Sequence, residues 1–149
     1  GIPHFSISIG LKSKNEIIAG VIFDPIKNEL FFGEKDNGSY INNHRIRVSK
    51  KNNIDECLFA SNNAGIKSEN LSTRNLGSAA LDLAYVGAGR FDGYFQNNLH
   101  IWDIAAGIII VKEAGGILND INLSHVENLK IRASSNTIYE KMLKKLSNF

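Results

Sequence analysis

The run from Asp103 to Ala114, "DIAAGIIIVKEA", reads as a helix that is apolar nearly all round and is halted by Gly115-Gly116. A helix with no polar face cannot lie on a surface, so other elements of the chain must enclose it. The 149 residues amount to one domain's length, enough to bury a core. The enclosing elements are legible on both sides of the run. Upstream, "HFSISIGLK" sets Phe5, Ile7 and Ile9 against His4 and serines, the period of a half-buried strand. "EIIAGVIFD" and "ELFFGEK" follow across the turn formers of "PIKN", and "KDNGSYINNHRIRVS" carries an Asn37-Gly38 turn signal between further strands. Residues 4 to 49 therefore read as an antiparallel meander.

The rest alternates helix and strand, with strands at "CLFAS", "FDGYF", "GILNDI" and "LKIRASS". "GSAALDLAYVGAGR" places Ala80, Leu81, Ala84, Tyr85 and Ala88 on one helical face, with Ser78 as N-cap and Gly89 as stop. "TIYEKMLKKL" reads as an amphipathic closing helix. This alternation predicts a layered α/β (α+β) fold, divided into an antiparallel-sheet portion at 1–56 and an α/β subdomain at 57–149.

Composition narrows the function classes. A net charge of +2, with basic residues scattered apart from a solvated patch at Lys141–Lys145, gives no footprint for direct nucleic-acid binding. The longest apolar run, Ile104 to Val111, is too short to span a bilayer, and no basic-then-apolar leader opens the chain, so no membrane partner and a cytoplasmic location are expected. Cys57 is alone, which excludes a disulfide framework and a thiolate metal cluster and predicts a buried structural thiol. The opening "GIPHFSISIG" has no methionine and begins its alternation at once, the look of a chain cut from a longer one.

Asp103 is the carboxylate behind the only tryptophan, Trp102. It reads either as the N-cap of the apolar helix or as a metal ligand. Gly77-Ser78-Ala79 leads into a helix whose first N–H groups can meet a phosphate or hydroxyl oxygen, or it is simply a capped start. His100 reads as a packed or surface histidine, since no nucleophile motif accompanies it, and Asp24 to Asn28, "DPIKN", as a hairpin turn.

The order and spacing of "GIPHFSISIGL", "GVIFDPIKNELFFGEKDNGSYINNHRIRVS", "RNLGSAALDLAYVGAGRFDGYF" and "LHIWDIAAGIIIVKEAGG" resemble the inositol monophosphatase family across nearly the whole chain. The resemblance implies the C-terminal part of a layered αβαβα sugar-phosphatase sandwich, a small phosphate-ester substrate, Mg2+ as cofactor and a homodimer. It makes Asp103 a magnesium ligand. It also makes Gly77, Ser78 and Ala79 the turn that contacts substrate hydroxyls, and places Arg74 near the substrate or the subunit interface. A second reading comes from relatives of the extragenic suppressor type: a non-catalytic protein acting on the transcription machinery.

Three departures qualify the resemblance. The family's Asp-Pro-x-Asp-Gly-Thr metal motif and its more distant Glu ligand belong upstream of "PHF" and are not in this chain, so the isolated chain is expected to be inactive. Gln96 stands where many members carry a substrate-binding Glu. The link "NNAGIKSENLST" is short where relatives place a helix.

Overall fold

A computed structural model of the chain describes residues 1–62, 67–68 and 70–147. The first sheet is a five-stranded antiparallel meander, β1 (Ile7–Ser13), β2 (Glu16–Asp24), β3 (Glu29–Glu34), β4 (Gly38–Ile41) and β5 (His44–Arg45), in spatial order of sequence. Its reversals use residues that tolerate left-handed backbone: Asn28 (φ 53°), Asp36 (φ 65°), and the pair Asn42 (φ 44°) and Asn43 (φ 68°), which gives the two positive φ values of a tight hairpin. The "DPIKN" segment is the expected turn. The buried Asp24 carboxylate accepts from the N–H groups of Ile26 and Lys27 and from the Lys27 ammonium. Burial alone would push Asp24 up, but these hydrogen bonds from Lys27 and Ile26 outweigh it and hold the carboxyl below its ordinary value.

A single 3-10 turn at Ile54–Glu56 leads into β6 (Leu58–Ala60), β7 (Lys67–Ser68), β8 (Ser72–Arg74), α1 (Ala79–Gly87), β9 (Gly93–Leu99), α2 (Ile101–Glu113), β10 (Gly116–Leu118), β11 (Leu129–Ser135), α3 (Tyr139–Lys145) and β12 (Leu146–Ser147). The second sheet runs β10-β11-β9-β6-β8, with β6 parallel to both of its neighbours and the other pairs antiparallel. β7 and β12 form a separate two-stranded ribbon. The short link therefore contains two strands in its described part; residues 63–66 and 69, also within that link, lie outside the described residues.

α1 and α2 lie between the two sheets, and their core side chains include Leu81, Leu83, Ile104 and Ile110. α3 covers the far side of the second sheet, where Phe59, Phe95, Ile138 and Met142 pack with Cys57. The Cys57 thiol is 3% exposed and burial pushes it up to about 11, as a structural thiol requires. The layer order is sheet, helices, sheet, helix. No helix among the described residues is long and apolar enough to cross a membrane.

α2 reaches the first sheet through a lane of small residues. Gly10, Gly20, Gly33 and Ser39 stand opposite one another across β1 to β4. A methyl group on Gly20 would come within 2.7 Å of the Ala106 backbone, on Gly10 within 2.7 Å of the Ala105 side chain, and on Gly33 within 2.9 Å of the Ile110 Cα. The lane ends where the Ser39 hydroxyl donates to the Ile110 carbonyl at 2.7 Å. On its other side α2 meets α1 at Gly107, which Leu83 crowds to 2.5 Å of a would-be Cβ. Contact at backbone distance on two sides explains why "DIAAGIIIVKEA" has no polar stripe.

α1 departs from its one-faced expectation. Residues Ala80 to Gly87 are all buried, Asp82 among them, because α2 and both sheets surround the helix. The opposite face of the first sheet is open. There Ile7, Ile9, Leu11 and Leu30 are exposed, and Val21, Phe23, Phe32 and Tyr40 are half-buried beside them in register.

Candidate active site

Two helix starts meet at one edge of the helical layer. At α1, Ser78 adopts extended backbone and its Oγ accepts from the Leu81 N–H at 3.4 Å, the N-cap the sequence called for. Gly77 before it has φ 90°, and nothing lies within 4 Å of where a Cβ would stand. The turn is therefore open toward solvent at the point where the N–H groups of the first helical turn have no intrahelical acceptor.

At α2 the cap is arranged differently from the sequence expectation. The helix begins at Ile101, so Asp103 is its third residue, not its N-cap. Asp103 Oδ2 accepts from the His100 N–H at 2.9 Å, capping from inside the first turn, where a carboxylate also suits the helix dipole. His100 is neither an isolated surface group nor a base. Its ring stacks on the exposed Trp102 with centroids 4.6 Å apart and planes 8° from parallel, and its Nδ1 is 3.4 Å from Asp103 Oδ2. Oδ1 of Asp103 takes no hydrogen bond from any described residue.

These elements line two adjoining depressions. The first, about 420 Å³, is walled by Asp103 and Trp102, by the Gly77-to-Ala80 turn, and by Ser6 and Ser8 from the approach and start of β1. The second, about 280 Å³, shares Gly77, Ser78 and Ala79 and adds Asn62, Asn75, Asp82 and Gln96. The turn is thus a ridge with Asp103 on one side and Gln96 on the other. Arg74 lines neither depression; its exposed guanidinium donates to the Thr73 carbonyl at 2.9 Å.

Gln96 is held by a residue the sequence did not single out. The Tyr94 hydroxyl donates to Gln96 Oε1 at 2.6 Å. Burial, with Asp82 and Asp103 nearby, pushes the Tyr94 phenol well above its ordinary value, so it remains a donor at any working pH. With its oxygen occupied, Gln96 presents its NH2 group.

Asp82 is the other residue missed. Its side chain is 3% exposed on residue area, and Oδ1 has no hydrogen-bond partner. Burial pushes its carboxyl up to about 7. The clue was present, an aspartate between Leu81 and Leu83 in an apolar helix, but only enclosure of all faces makes it a buried acid. A raised carboxyl contributes stability that is fully present below the unfolded pKa and is lost as pH rises through about 7. The Asp82→Asn variant should therefore gain on wild type between about pH 4 and pH 7, by about 4 kcal/mol at the upper end, and the difference should level off above. Urea unfolding of both proteins at stepped pH measures this, and a difference independent of pH would refute it.

A magnesium site needs more than Asp103. Catalytic magnesium takes six oxygen ligands in near-octahedral geometry, commonly through more than one carboxylate. Among the described residues no cluster of three His, Cys, Asp or Glu side chains exists, and one Asp103 oxygen is engaged by the helix cap. The residues of this chain do not by themselves fit a catalytic magnesium.

Comparison with known proteins gives a consistent picture. The sequence model of the inositol monophosphatase family matches residues 1–148. The chain is 39% identical to Nus factor SuhB of Haemophilus influenzae, the alignment covering 98% of this chain and 61% of that protein. It is 35% identical to inositol-1-monophosphatase of Mesorhizobium japonicum, over 97% and 60%. Among solved structures, the extragenic suppressor protein SuhB of Bartonella henselae superposes with a TM-score of 0.85 at 38% identity, over 97% of this chain and 62% of that one. The chain spans about 60% of the length of the relatives it matches.

Proposed function

The chain belongs to the inositol monophosphatase family, and from that premise we propose that it supplies the substrate-facing part of a magnesium-dependent phosphomonoesterase acting on an inositol monophosphate or a related small phosphate ester. The observation that carries this reading is the placement of Asp103 against the Gly77-Ser78-Ala79 turn, across one open depression. Asp103 offers one carboxylate oxygen for a magnesium ion whose other ligands come from outside these 149 residues. The turn offers N–H groups to the ester's oxygens, and Gln96 offers its amide to the organic part.

The test is phosphate release from inositol 1-phosphate and from a generic phosphomonoester, with magnesium and with a chelator. The 149-residue chain alone should release no phosphate at a useful rate. Adding the upstream segment that relatives carry should bring metal-dependent release. Robust turnover by the chain alone would overturn the ligand account.

A second reading, a non-catalytic interaction protein of the extragenic suppressor type acting on the transcription machinery, is favoured by the relatives named Nus factor SuhB. Absence of turnover even with the upstream segment supplied would select it.

Under either reading the protein self-associates, as a homodimer in the enzyme. The row of Ile7, Ile9 and Leu11 against Val21, Phe23, Leu30 and Phe32 is an apolar surface that water disfavours. Light scattering at micromolar concentration should show a mass above the monomer for this chain. The double variant Ile9→Lys, Phe32→Glu should shift it toward the monomer. A clean monomer in the wild type, with no binding of an apolar dye, would contradict the expectation.

A further inference from the structure

The second depression has a chemical asymmetry that its place beside the cleft does not explain. Asp82 sits in its wall with Oδ1 unpartnered, in a helix otherwise built from Ala, Leu, Tyr and Val, where an unmet polar group works against folding. Across the same depression, Gln96 has its carbonyl oxygen taken by the Tyr94 hydroxyl and so has only donors to offer. One wall therefore supplies a carboxyl and the other an N–H pair. A hydroxyl is the simple group that satisfies both, accepting from the amide and hydrogen-bonding the carboxyl. A fully ionised phosphate has no proton to give a carboxylate, and an apolar group meets neither need.

We propose that Asp82 is a ligand-contacting, specificity-determining residue, which together with Gln96 holds one hydroxyl of a polyol in the second depression. This deepens the phosphate-ester reading and rests on it: the first depression takes the phosphate end, the second the hydroxylated organic end. Esters without a hydroxyl beyond the phosphate are disfavoured, because they leave the Asp82 carboxyl as unmet as it is without ligand. The cost to folding is then the counterpart of selectivity, since a site built to hydrogen-bond a hydroxyl rejects the analogue that lacks it.

The experiment uses the full-length protein and two probes, free myo-inositol and inorganic phosphate, with affinities from ligand-observed NMR titration and Tm from thermal unfolding. In Asp82→Ala, myo-inositol binding should weaken by about tenfold or more while phosphate binding stays within about twofold. Tm should hold or rise by about 3 °C, since an unmet polar group is removed. Asp82→Asn, which keeps a polar group of the same shape, should bind myo-inositol within about threefold of wild type. If Gln96→Ala loses myo-inositol but Asp82→Ala does not, the Asp82 assignment falls and the phosphate-ester reading stands. If wild type binds neither probe, both fall. If Asp82→Ala and Asp82→Asn both lower Tm and weaken both probes together, Asp82 is structural and the proposal is overturned.

Discussion

Replacing Asp103 by asparagine in the full-length protein is expected to reduce magnesium-dependent phosphate release by about 10³-fold, with the fold intact. The size follows from what is removed. An anionic oxygen facing a divalent cation becomes a neutral amide oxygen, and the electrostatic stabilisation of a phosphoryl-transfer site is commonly worth several kcal/mol, so about 10³-fold is a conservative loss. The fold survives because the interaction Asp103 makes within the chain, acceptance of the His100 N–H at 2.9 Å, is one an amide oxygen can also make. Asp103→Ala removes both and should lower stability by about 1 kcal/mol in addition. The two variants separate the roles: equal loss of activity with unequal loss of Tm is the expected pattern. Substantial activity in Asp103→Asn at saturating magnesium would remove Asp103 from the ligand set.

The largest expected effect on stability lies far from the cleft, at Gly20. Valine there would drive branched atoms into the Ala106 backbone and the Ile109 side chain, both within 2.7 Å of the first added carbon. Neither can rotate away, because Ala106 is itself the helix backbone and α2 is clamped from behind by Leu83 against Gly107. Overpacking with no escape costs about 3 kcal/mol or more, equivalent to a Tm lower by about 10 °C in a domain of this size. Displacement of α2 would also carry Asp103 out of register with the Gly77 turn. Thermal unfolding of Gly20→Ala and Gly20→Val should show a graded loss, and a Gly20→Val protein with unchanged Tm would mean that the helix does not lie on the strands at backbone contact.

What the sequence disclosed depended on whether a signal was local. The meander was legible because alternation in "HFSISIG" and turn formers at Asn28 and Gly38 are properties of adjacent residues. β8, "STR", was not, since its polar residues acquire strand conformation only by pairing in parallel with β6. The start of α2 was misplaced by two residues because its cap comes from Asp103 inside the first turn, while the N-cap is a histidine, a residue type outside the usual preference. Asp103, Gln96 and the Gly77 turn could be picked out from their motif. Their neighbours could not: Asp82 becomes notable only when α1 is enclosed on every side, and Tyr94 only when its hydroxyl reaches two residues along β9 to Gln96.

The lane of small residues also has a temporal consequence. Ser39 and Ile110, which close it, are separated by 71 residues, and the Glu113 carboxylate that receives the Asp36 N–H is 77 residues from it. Synthesis adds about 5–20 residues each second, so the meander waits about 4–14 seconds for its helix, with Gly10, Gly20 and Gly33 uncovered. Until then the nascent sheet offers bare surfaces on both sides and pairs with nothing further along its own chain. Such non-local closure slows folding and widens the window for misassembly. The same glycines that let α2 approach the strands so closely make the ribosome-bound chain dependent on protection by chaperones for that interval.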